Sequence, residues 1–75
     1  MNETQRQTAM EILNLTPEEA EKNTKPIPEE NACYCWNSTR GGLQMLIHEN
    51  GEKLVLGAAF SFEKLLAMYR EGKRN

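Results

Sequence analysis

The stretch Leu43-Gln44-Met45-Leu46-Ile47-His48-Glu49-Asn50-Gly51-Glu52-Lys53-Leu54-Val55-Leu56-Gly57-Ala58 decides the fold. Two apolar runs flank Asn50-Gly51, and Asn-Gly is the strongest short-range hairpin signal because a type I′ turn needs positive φ at both central residues. With those two residues as the loop, Met45 faces Leu56, Ile47 faces Leu54, and Leu43 faces Ala58. All six are apolar and share one face of the ladder. The opposite face carries Gln44, Leu46, His48, Lys53, Val55 and Gly57, a mixed set. One face is thus expected to be core and the other partly wet.

Upstream, Ala32-Cys33-Tyr34-Cys35-Trp36 is rich in strand-favouring residues and predicts a further strand. The turn-like Asn37–Gly42 connection makes a meander the simplest topology. Pattern alone leaves the register of this strand open. Tyr34 and Trp36 are expected inward, since a small domain needs their area. Downstream, Ser61 caps a helix whose Phe62, Leu65, Leu66 and Tyr69 fall on one stripe, and Gly72 suits the position just past its end. That stripe is expected to cover the apolar sheet face.

The first thirty-one residues read differently. Asn2 with Gln5, or Thr4 alone, can cap a helix over 3–14, whose apolar stripe is Ala9, Met10, Ile12 and Leu13. Thr16-Pro17-Glu18-Glu19 is a capping box with proline at the first helical position, and it predicts a short helix over 17–22 with Leu15 folded onto Ala20. Pro26 and Pro28 exclude helix and predict an extended connector. The expected fold is therefore α+β. It is a three-stranded antiparallel meander packed on one face by a C-terminal helix, with one or two short N-terminal helices. Residues 1–31 form a helical segment and proline-containing linker, and residues 32–75 form a β-β-β-α domain.

Seventy-five residues make one small domain, and 39% apolar against 27% charged content is ordinary for a globular chain. The net charge of −2 divides unevenly, with −4 on residues 1–30 and +2 on residues 31–75. A field of +2 falls short of the basic face of a dedicated nucleic-acid binder. The polar opening Met1-Asn2-Glu3-Thr4-Gln5 has no apolar signal region, and no run reaches the ~20 apolar residues of a membrane span. A cytoplasmic setting follows as the expectation, with Cys33 and Cys35 reduced and no membrane partner.

Few residues carry chemistry. Cys33 and Cys35 share a face of one strand, and with His48 they are the candidate metal ligands. Zinc wants four ligands, and no second cysteine pair supplies the rest, so structural cysteine and no cofactor is the expectation. Arg40-Gly41-Gly42 reads as a glycine-bearing turn, or as a tip offering a guanidinium to an anion. Tyr34, Trp36, His48, Lys53 and Arg40 form a base-stacking surface only if the first strand turns its aromatic residues outward. The β-β-β-α order also occurs in integrase arm-binding domains, and α-β-β-β-α in double-stranded-RNA-binding domains. The lysine-rich helix start of the latter is replaced here by Phe62-Glu63. No Ser/His/Asp set and no carboxylate pair suggests an enzyme.

From Trp36 to Arg74 the chain resembles short uncharacterised proteins of Gram-positive gut bacteria, often found near mobile elements. The features that match are an aromatic pair before Arg40-Gly41-Gly42, an apolar strand, Asn50-Gly51, a second strand, Ser61-Phe62-Glu63 and Gly72-Lys73-Arg74. The resemblance implies a recurring domain and no particular activity. The expected function is a non-enzymatic protein-interaction or regulatory module, homodimerisation being its simplest form, acting through a strand edge or through an outer sheet face with Leu46 and Val55. Arg40, Lys53 and Trp36 complete the candidate contacts. Nucleic-acid binding by the sheet face is the alternative, and a cysteine-based metal or redox site is the third.

Overall fold

A computed structural model of the chain describes residues 1–38 and 42–75. Two helices come first, α1 (Glu3–Leu13) and α2 (Pro17–Lys22). Four strands follow, β1 (Thr24–Ile27), β2 (Ala32–Trp36), β3 (Leu43–His48) and β4 (Lys53–Gly57), and α3 (Phe62–Arg70) closes the order. The strands form one antiparallel sheet in sequence order.

The capping chemistry read from the sequence is all present. Asn2 and Gln5 exchange side-chain and backbone hydrogen bonds in one capping box, and Thr16 and Glu19 do so in another. Ser61 Oγ accepts the Lys64 amide at 3.1 Å to start α3. At its far end Gly72, at φ +93°, lets its own amide reach Tyr69 O and the Lys73 amide reach Met68 O, the two bonds of a Schellman turn.

The sheet has four strands where three were expected. The extra one is the proline connector, which pairs with β2 so that Thr24 faces Cys35 and Pro26 faces Cys33. The Trp36 amide donates to Asn23 O, so residues 23, 25 and 27 turn their polar backbone inward and Pro26 turns its missing N–H outward. An edge strand accepts proline at that phase without losing a ladder bond.

The hairpin is where the sequence placed it, but its register is one residue off. Met45 pairs with Val55, Leu46 with Leu54 and Gln44 with Leu56. The loop has three residues. His48 donates to Glu52 O at 2.7 Å, Gly51 donates to His48 O at 2.9 Å, and Gly51 alone has positive φ, at +100°. This is a type I turn followed by a glycine bulge, not the type I′ turn that needs Asn50 left-handed too. Asn50 Oδ1 accepts the Glu52 amide at 2.9 Å and holds the bend.

The one-residue shift fits a sheet covered on both sides. On one face Cys33, Cys35, Met45 and Ile47 pack with Ala9 and Leu13 of α1, with Leu15, and with Ala20 of α2. On the other, Ile27, Ala32, Leu46 and Leu54 pack with Leu65 and Tyr69 of α3. Met45 and Ile47 are fully buried, yet beneath α1 rather than the terminal helix. The register expected from the sequence gathers the apolar side chains onto one face. The observed one divides them, as two helical layers require.

Candidate functional site

Trp36 ends β2 and Leu43 begins β3, so the two stand at one end of the sheet. The β4–α3 connection brings Phe60 to the same end, and α3 opens with Phe62. Together with Tyr34 and Gln44 these line a cleft of about 230 Å³. Tyr34 joins two of its rings. Its ring stacks on Trp36 with centroids 5.3 Å apart and planes at 27°, and it meets the edge of Phe62 at 4.6 Å and 63°.

The floor is polar and saturated. Gln44 is buried, and its Oε1 accepts the Tyr34 hydroxyl at 3.0 Å. Its Nε2 donates to Gly57 O at 3.0 Å and Phe60 O at 2.6 Å. Every group of that carboxamide is thereby committed to the protein. Burial raises the Tyr34 phenol above its ordinary range, and the neighbouring Cys35 adds to that, so the hydroxyl stays a neutral donor. The rim is apolar: Phe60 leaves 47% of its surface exposed and Leu43 37%. Among the described residues lining the cleft there is no Lys, Arg, Asp or Glu. The described lining therefore offers aromatic faces and exposed apolar surface.

The residues singled out from the sequence land in different places. Trp36 is half-buried in the cleft wall. Tyr34 and Trp36 lie on the α3 side, and Cys33 and Cys35 lie buried on the α1 side, so both pairs point into packed layers. Leu46 is fully buried beneath α3, and Val55 is half-buried on the α1 side. The outer patch expected from those two does not form, because the true register sends them to opposite faces. Lys53 is partly buried and its ammonium hydrogen-bonds Asn75 O. Arg40 and Gly41 lie outside the described residues.

His48 pairs with Ala32 across the β2–β3 ladder, on the α3 face, away from both thiols. The three candidate ligands do not converge, and among the described residues no group of three His, Cys, Asp or Glu could hold a metal ion. Burial pushes the Cys35 thiol up, against a lowering hydrogen bond from Thr24 Oγ1 at 3.6 Å, while Cys33 raises it further. A thiol held protonated is a poor nucleophile and a poor ligand.

Leu43, Phe60 and Phe62 were absent from the sequence-level candidates. Phe60 carried a signal that pointed to cover, not exposure. It precedes the Ser61 cap, where an apolar residue commonly folds onto the fourth helical position, yet it stays nearly half exposed. No family model, curated protein or solved structure matches this chain. Among the described residues no helix is long and apolar enough to cross a membrane.

Proposed function

We propose that this chain is a small non-enzymatic interaction module that receives an apolar side chain of a partner protein in the cleft between Trp36, Phe60 and Phe62. The observation that carries this reading is the aromatic cleft with Phe60 and Leu43 exposed at its rim. Contiguous exposed apolar surface on an otherwise polar molecule marks a contact site. Size supports a side chain over a substrate. Small-molecule sites usually run ~300–1,000 Å³, and this cleft is about 230 Å³. Tyr34 and Gln44 satisfy each other, which leaves no spare catalytic acid or base at the floor.

The test is selection of displayed random peptides on the intact chain. Enriched sequences should share an aromatic or aliphatic anchor, and Trp36→Ala or Phe60→Ser should weaken them roughly tenfold or more, as removal of an interface anchor does. Peptides that bind the folded variants as well as the parent would remove the cleft from the argument, as would a selection that enriches nothing.

A second reading uses the same rings to stack single-stranded nucleic acid. It draws on the Tyr34–Trp36 pair, and it is weakened by the absence of basic residues among the described lining and by the net charge of −2. Oligonucleotide binding that falls steeply with salt would favour it.

A further inference from the structure

We infer that residues 73–75 are a strap that keeps the open edge of β4 from pairing with the same edge of a second copy of this chain. The inference is independent of the aromatic cleft. In the β3–β4 ladder His48 donates to Glu52 O, so residues 53, 55 and 57 turn their polar backbone away from β3. Both outward groups of Val55 and the outward carbonyls of Lys53 and Gly57 are occupied. The Asn75 amide donates to Lys53 O at 3.0 Å, Asn75 Oδ1 accepts the Val55 amide at 2.8 Å, and Asn75 Nδ2 donates to Val55 O at 3.0 Å. The Lys53 ammonium bonds Asn75 O as well. At the end of the strand, Gly57 O takes the Phe60 amide and Gln44 Nε2.

The Asn75 carboxamide thus reproduces, on Val55, the paired N–H and C=O bonds that a residue of an adjacent antiparallel strand would make. The path to it is built into α3. The Schellman turn at Gly72 reverses the chain, and Arg74 stacks on the Tyr69 ring, its guanidinium carbon 3.7 Å from the centroid, while its Nη1 donates to Tyr69 O.

The two edges of the sheet differ in what guards them. β1 is four residues long and turns Pro26 outward, a common device against edge pairing. Between Lys53 and Gly57, β4 has no proline and only one charge. Its sequence is also self-complementary. An antiparallel pair centred on Val55 sets Leu54 against Leu56 of the copy and Lys53 against Gly57 of the copy, so apolar residues meet and no like charges do. A second copy is therefore the occupant that the freed edge fits.

Sedimentation of the full chain and of a variant lacking residues 73–75, each over a range of concentrations, reads this directly. The full chain should stay monomeric. The deletion variant should form a dimer whose population rises with concentration, and Val55→Pro in that background should return it to monomer by removing the edge donor. At dilution, Val55 amide exchange should run roughly tenfold faster without the strap, as expected for one lost hydrogen bond. A deletion variant that folds by circular dichroism and stays monomeric throughout overturns the inference. If the deletion unfolds the chain, Asn75→Ala, which keeps Gly72 and Arg74, is read by the same two measurements, and unchanged exchange with no dimer overturns it equally.

Discussion

Gly42 and Gly57 stand near the same end of the sheet, and the same substitution at each should act with opposite sign. Gly42 has φ +50°, and a Cβ built there meets Ala58 Cβ at 2.7 Å. Gly42→Ala combines a left-handed backbone with a contact that must shift, and is expected to cost about 2 kcal/mol or more. Gly57 lies in β4 with nothing within 4 Å of an added Cβ and no positive φ. Gly57→Ala should stabilise the chain by about 0.5 kcal/mol, since glycine in a strand loses more backbone freedom on folding. Urea midpoints of the two variants check both signs, and a Gly42→Ala protein as stable as the parent would show that the Ala58 contact relaxes freely. At this scale the sequence was most legible where a residue acts on its own neighbours: Asn2, Thr16, Ser61 and Gly72 each do what their type and position imply. Gln44 was not. Its partners are Tyr34, Gly57 and Phe60, and no local pattern announces a carboxamide satisfied by three other segments. The cleft was missed for the same reason, being assembled from the ends of β2, β3 and the β4–α3 connection.

The hairpin carries the element-scale lesson. Asn-Gly specifies a bend, but two bends suit it, and they differ by one residue of register. Local turn preference favours the two-residue loop, whereas two helical layers favour the register that sends Leu54 and Leu56 beneath α3 with Leu46 and leaves Val55 to the α1 side. Tertiary burial wins because each exchanged side chain carries ~2 kcal/mol, more than the difference between turn types. The competition can be removed without moving the sheet. Deleting Glu49 leaves Asn50-Gly51 alone between His48 and Glu52, the loop length a type I′ turn closes. The His48–Glu52 pairing should then persist, with cross-strand contacts between Met45 and Val55 unchanged by NMR. A loss of about 1–2 kcal/mol is expected, because the Glu49 amide bonds Asn31 O and Glu49 O accepts from Asn2 Nδ2. Replacement of the Met45–Val55 contact by Met45–Leu56 would mean that the layers do not set the register.

For the whole molecule, what a segment-by-segment reading of the sequence passed over was the second layer. A strand pattern that alternates apolar with mixed reads as one wet face, yet Leu46 and Val55 on the mixed face were already too apolar for water, and α1 had a short stripe with nothing assigned to receive it. Joining those two facts gives a sheet covered on both sides, as found. The consequence for stability is a set of acids that the fold holds neutral. Burial is the first cause of the raised Cys35 thiol, partly offset by Thr24 and reinforced by Cys33. Burial likewise leads for Tyr34, with Cys35 adding to it. It leads again for Tyr69, where Arg74 pulls the phenol back while Glu30 and Glu52 push it up. The Tyr69 hydroxyl is buried, and Arg74 beside it is the group that favours its ionisation. In each case the folded chain holds the proton more tightly than the unfolded chain. Stability is therefore fully present below the ordinary cysteine value of 9.0 and falls as pH rises past it, first through Cys35 and then, above 10.0, through the two tyrosines. Denaturant midpoints taken at pH 7, 9.5 and 11 should decline in that order. Cys35→Ala, less stable at pH 7 for its lost packing, should show no fall between the first two and keep the fall to the third. A variant that declines as steeply as the parent below pH 10 would place the first loss elsewhere than in the layer between α1 and the sheet.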